Sequence, residues 1–130
     1  MPMAGRKPLA LISEDTELGL WALTRALEAE GYNVHAAPLW DEAAAALRRM
    51  RFSLVLAAVS SPGHAADILA DVSRHQPCAH LVLLVEEDAV GEVRLECGPG
   101  PDILAKPFDL EKVAEVARSH LAPGDETLSA

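Results

Sequence analysis

Four short stretches of this 130-residue chain carry side chains that could do chemistry. "SED" at 13–15 supplies two adjacent carboxylates, Glu14 and Asp15. "SSPGH" at 60–64 supplies two hydroxyls, a Pro62-Gly63 turn and the imidazole of His64. "EED" at 86–88 supplies three more carboxylates, and "AKPF" at 105–108 supplies the Lys106 ammonium ahead of Pro107. Adjacent carboxylates suit a hard cation such as Mg²⁺, which takes octahedral oxygen ligands. They equally suit the start of a helix, where Asp15 is expected to cap and both charges complement the dipole. Ser60 and Ser61 read as turn formers, and His64 as a surface histidine at a helix entry. Glu86, Glu87 and Asp88 would repel phosphate, and no nucleophile or base accompanies them for hydrolysis.

The chain must place these stretches together. Apolar β-like runs alternate with segments of helical period. Strands are expected at 8–13, 32–37, 52–59, 80–86 and 99–105. Helices are expected at 16–30 (Leu20, Leu23 and Leu27 inward, stopped by Gly31), at 40–50 (Ala43, Leu47 and Met50 inward) and at 65–75 (Ala65, Ile68, Leu69 and Val72 inward). One or two helical turns are expected over 88–96. A last helix at 109–121 should turn Leu110, Val113, Ala117 and Leu121 inward. The third and fourth strands lack polar alternation, so helices must cover both of their faces. The result is an α/β fold with a parallel sheet, read as one domain at 8–121 between tails at 1–7 and 122–130. Sites in such folds lie beyond the carboxyl ends of the strands, which is where all four stretches fall.

Composition narrows the function. Twenty acids against eleven bases give a net charge of −9, which disfavours nucleic acid. Arg48, Arg49 and Arg51 read as the solvated end of a helix. Cys78 and Cys97 read as reduced cytoplasmic thiols, and His64, His75, His80 and His120 are not spaced to join them around zinc. The longest apolar runs, "LVLAAV" and "LVLLV", are far shorter than the ~18 residues of a membrane span. Trp21 and Trp40 read as core packing, with partner contact as the alternative.

In order and spacing, "SED", the Pro62-Gly63 turn and "AKPF" resemble the receiver domain of bacterial two-component response regulators, over residues 8–121. The resemblance implies a flavodoxin-like, receiver-type three-layer sandwich with strand order 2-1-3-4-5. It implies Mg²⁺ ligation by Glu14 and Asp15, phosphoryl contact by Lys106 (whose expected partner without phosphate is Glu14 or Asp15), and a cis bond at Lys106-Pro107. It also places Ala58 where the phosphoryl-accepting aspartate should stand. Val85 stands where a Thr or Ser hydroxyl reads the phosphate, and Ile103 near the aromatic switch position. A methyl group has no lone pair with which to attack phosphorus. The chain therefore looks like a pseudo-receiver, not phosphorylated and not an enzyme. It would act in phosphorelay signal transduction by protein contact, with at most a weak vestigial Mg²⁺ site and no other cofactor. Expected partners are a histidine kinase, a phosphotransfer protein, another response regulator, or a second copy through residues 88–121, where "CGPGPD" suggests a remodelled fourth-helix region. No output segment is expected after 121, and no nucleic acid or membrane contact. Two other readings stand beside it: phosphorelay through another residue, and a small-ligand or nucleotide-binding flavodoxin-like protein or enzyme, against which "SEDTELG" puts carboxylates where a phosphate-cradling loop is needed.

Overall fold

The computed structural model describes residues 7–121; the expected tails, apart from Lys7, lie outside the described residues. Five parallel strands alternate with five helices. The strands are β1 (Leu9–Ser13), β2 (Asn33–Ala37), β3 (Leu54–Ala58), β4 (His80–Glu86) and β5 (Asp102–Lys106). The helices are α1 (Glu17–Ala29), α2 (Trp40–Leu47), α3 (Pro62–His75), α4 (Val90–Cys97) and α5 (Leu110–Ser119), with one 3₁₀ turn, Glu87–Ala89, ahead of α4. The sheet order is β2-β1-β3-β4-β5, as expected.

Alternation along the strands sorts the core into two layers. Leu11, Val55, Leu81, Leu83 and Val85 face the side where Ala43, Leu47, Ala65, Ile68, Val72 and Val93 pack. Ala10, Ile12, Leu54, Leu56, Val82 and Leu84 face Leu23, Leu27, Val113 and Ala117. Both faces of the central strands are thus apolar and covered, which is why β3 and β4 show no polar alternation.

Several boundaries move for identifiable reasons. β5 begins at Asp102 rather than 99, because Pro99 and Pro101 have no N–H to give to a ladder. α3 begins at Pro62 rather than 65. Proline is tolerated in a first turn, and the Ser61 side chain caps the helix by accepting from the His64 N–H at 3.2 Å. β3 begins at Leu54 rather than 52, since the Phe52 N–H donates instead to the side chain of Gln76 at 3.0 Å. Gln76 is itself buried, and its amide donates back to the carbonyls of Leu47 and Met50. One side chain so closes the α2–β3 loop against the end of α3.

Two inward expectations fail. Leu110, at the first position of α5, is 43% exposed, and Phe108 packs against the core near there instead. Trp21 is 60% exposed on α1, with the Arg25 guanidinium 5.5 Å from its ring centroid. Helical period puts the buried stripe on Leu23 and Leu27, with Leu20 packed beside them, and leaves position 21 outside it. Trp40 packs against the core as expected, and its indole N–H donates to Asp71 at 2.8 Å.

Tyr32 joins β2 to α5. Its ring is buried and its hydroxyl donates to the Ala117 carbonyl at 2.7 Å. Burial, with the nearby Glu30 carboxylate, pushes its pKa from the ordinary 10 up to about 12. The folded state keeps a proton that the unfolded state loses in that window. The contribution is therefore complete below pH 10 and is lost as pH rises towards 12, to the extent of at most about 3 kcal/mol. The chain has one tyrosine, so tyrosinate absorbance reports this group alone. Tyr32→Phe is expected to cost about 1 kcal/mol at neutral pH and to flatten the fall in urea-unfolding stability above pH 10. An unchanged alkaline profile would contradict this assignment.

Candidate functional site

Parallel topology brings four strand ends to one edge. Ser13 ends β1 beside Ala57, Ala58 ends β3 beside Leu84, and Glu86 and Lys106 end β4 and β5 in register. Over these ends lies a cleft of about 500 Å³, lined among others by Glu14, Asp15, Trp40, Asp41, Ala58, Ser60, His64, Glu86 and Lys106. Four carboxylates face one lysine there.

Glu14 organises the cleft. It is buried, and its Oε1 accepts from Lys106 Nζ at 3.2 Å. Its Oε2 accepts from the Thr16 hydroxyl at 2.5 Å and from the Thr16 N–H at 3.3 Å. Thr16 in turn caps α1, its Oγ1 accepting from the Gly19 N–H at 3.1 Å. The expected cap was Asp15. The cap is Thr16 because it is the last extended residue, with φ −93° and ψ 138°, before the helix begins at Glu17, and Asp15 remains exposed. Gly19 permits the arrangement: a Cβ there would lie 2.6 Å from both Glu14 Oε2 and Thr16 Oγ1.

The other expected site residues separate. Ala58 is half-buried and its methyl lines the cleft. Val85 is buried in the layer beneath α3 and α4, and Ile103 packs against that same layer, so neither belongs to the cleft wall. Ser60 and His64 engage each other: the His64 Nδ1 accepts from the Ser60 N–H at 3.2 Å and faces its hydroxyl at 3.1 Å. Pro62 and Gly63 form the first turn of α3, and the Lys106-Pro107 bond is cis. Sequence reasoning missed Thr16 and Gly19. A threonine directly before a helical pattern, and a glycine inside one, were the available signals.

No family model matches the chain. It is 31% identical over 112 residues to the probable transcriptional regulatory protein TcrX of Mycobacterium tuberculosis, a stretch covering 84% of this chain and 47% of TcrX. The chain thus spans about half the length of that relative. Its structure resembles the CheY-like response regulator receiver domain protein of Methanospirillum hungatei, with TM-score 0.77 and 21% identity over 94% of this chain and 98% of that one. It also resembles a response regulator from Thermotoga maritima, with TM-score 0.73 and 23% identity over 88% and 97%. The fold is that of a receiver domain.

The Glu14–Lys106 contact yields a test. Lys106→Met strands a buried carboxylate with Thr16 alone. The expected loss is about 2–3 kcal/mol, short of a fully buried pair because Lys106 keeps one-fifth of its side chain exposed. Adding Glu14→Gln should recover part of that loss, read by urea unfolding of the single and double variants. Strictly additive losses would contradict the coupling.

Proposed function

We propose that this chain is a receiver module of two-component signalling that works by protein contact and takes no phosphoryl group. The observation that carries this reading is Ala58. It ends β3 in the cleft, within a wall that also holds Glu14, Asp15 and Lys106. Glu14, Asp15 and Lys106 offer carboxylates and an ammonium there, and the attacking position has a methyl group. Lys106 is engaged by Glu14, and an excess of negative charge meets any incoming phosphate. The missing third carboxylate also leaves Glu14 and Asp15 a weak Mg²⁺ pair, and Glu14 already accepts three hydrogen bonds.

The partners we propose are a histidine kinase, a phosphotransfer protein, another response regulator or a second copy. Contact would run through residues 88–121. Leu95 on α4 is 87% exposed and Leu110 on α5 is 43% exposed, apolar surface of the kind that partners cover. Arg94 shapes this region by donating to the carbonyls of Gly98 at 2.7 Å and Pro101 at 3.0 Å, which holds the "CGPGP" loop against α4. Gly98, at φ 71° and ψ −165°, takes a positive-φ conformation open to glycine and ends the helix. No helix among the described residues is long and apolar enough to cross a membrane, and the proposed location is the cytoplasm. TcrX is a transcriptional regulator by name; the acidic charge of the present chain argues against DNA contact by the receiver module itself.

Incubation with acetyl phosphate and Mg²⁺ should leave the intact mass unchanged; a stoichiometric phosphoryl adduct would overturn the proposal. Ala58→Asp should gain thermal stability from Mg²⁺ where the parent gains little, because the new carboxylate joins Glu14 and Asp15 and gives the ion a further negative charge to neutralise. Amide exchange across 88–121 of this variant should nevertheless be the same with and without phosphodonor, since Val85 brings no hydroxyl to read the group. Phosphodonor-dependent protection there would show that the switch operates without it.

A further inference from the structure

At the opposite end of the sheet from the cleft, His80, Asp102 and His120 meet. His80 is the first residue of β4, Asp102 the first of β5, and His120 follows the last residue of α5. Alternation puts His80 and Asp102 on the face of Val82 and Leu104, the face that α5 covers. One ligand atom from each of the three residues lies within 4.8 Å of the other two. His80 Nε2 is 2.9 Å from Asp102 Oδ2, and the two imidazoles stack at 3.6 Å between centroids, 8° from parallel.

The ring chemistry is that of a ligand set. His120 Nδ1 lies 3.0 Å from the Val116 carbonyl, which only accepts, so Nδ1 carries the proton and Nε2 keeps its lone pair. A backbone carbonyl that fixes the tautomer in this way is the usual support of a metal-binding histidine. The rings lie 3.6 Å apart and 8° from parallel, so one of them turns out of the stack to bring both lone pairs onto one ion. The residues are half-buried or exposed, so an ion reaches them from solvent.

We propose that His80, Asp102 and His120 form a Zn²⁺ site. Two imidazoles and a carboxylate suit a borderline divalent ion rather than Mg²⁺ or Ca²⁺, which favour all-oxygen sets. Three protein ligands leave a fourth position for water. On binding, the proton that His80 Nε2 shares with Asp102 leaves to solvent as Nδ1 takes one up, so the ring stays neutral in its other tautomer and the freed Nε2 lone pair takes the metal. The ion then ties the starts of β4 and β5 to the end of α5, and so braces two of the elements proposed above to meet partners. The site stands independently of whether the cleft accepts phosphate.

The test is Zn²⁺ titration of the full chain by calorimetry and thermal melting, at about pH 7.5, above the ordinary histidine range. One ion per chain should bind with a rise in melting temperature, and Mg²⁺ should not substitute. His80→Asn and His120→Gln should each weaken binding by about tenfold or more, while the metal-free variants keep the parent's circular dichroism. The double variant His75→Ala/Cys78→Ala, which removes other donors near the same end of the sheet, should bind like the parent. Absence of binding, binding that survives both His80→Asn and His120→Gln, or loss confined to the His75/Cys78 variant would overturn the proposal.

Discussion

The Glu14–Lys106 ion pair is the contact on which the cleft depends. A carboxylate buried at the end of β1 needs compensation for its lost hydration, and three elements supply it. β5 delivers the Lys106 ammonium, and the first turn of α1 delivers the Thr16 hydroxyl and N–H. Gly19 keeps the space clear. Glycine inside a helix costs about 0.5–1 kcal/mol relative to alanine, and here the close approach of Glu14 and Thr16 accounts for it. The pair crosses the sheet from β1 to β5, so it also fixes the relative height of the two strand ends that bound the cleft.

This arrangement gives the cleft its chemical character. Lysine opposite paired acids can hold a metal-bound anion only if a nucleophile or a further ligand stands between them. Ala58 stands there. The lysine is then a structural counter-ion, and attraction of a few kcal/mol before desolvation is spent within the protein rather than on a ligand. On the reading proposed above, the domain keeps the fold and delivers its output through its surface. The exposed Leu95 and Leu110 and the loop pinned by Arg94 lie on that surface.

Much of this was legible in the sequence, for physical reasons that differ from element to element. β4 was read at its true limits, 80–86, because a strand covered on both faces is an uninterrupted apolar run with polar ends. The start of β5 was misplaced because its flanking prolines look like part of an extended segment yet cannot join a ladder. The pairing of Lys106 with an acid at the end of β1 followed from the resemblance to receiver domains, whereas the choice of Glu14 over Asp15, and of Thr16 as the cap, depended on one residue of backbone geometry. Trp21 was read as core although its helical phase, one residue after Leu20, turns it to solvent. His80, Asp102 and His120 carry no motif. Only the neighbouring of β4 and β5, and the return of α5 across them, brings the three together.

The central claim is that the cleft neither holds a phosphoryl group nor transmits its arrival. Beryllofluoride with Mg²⁺ mimics a phosphorylated carboxylate, so the direct test is an amide NMR titration of the unmodified chain with both. The account predicts that resonances of residues 90–119 stay in place, with at most small Mg²⁺-dependent shifts confined to Glu14 and Asp15. Saturable shifts through α4, β5 and α5 would contradict it.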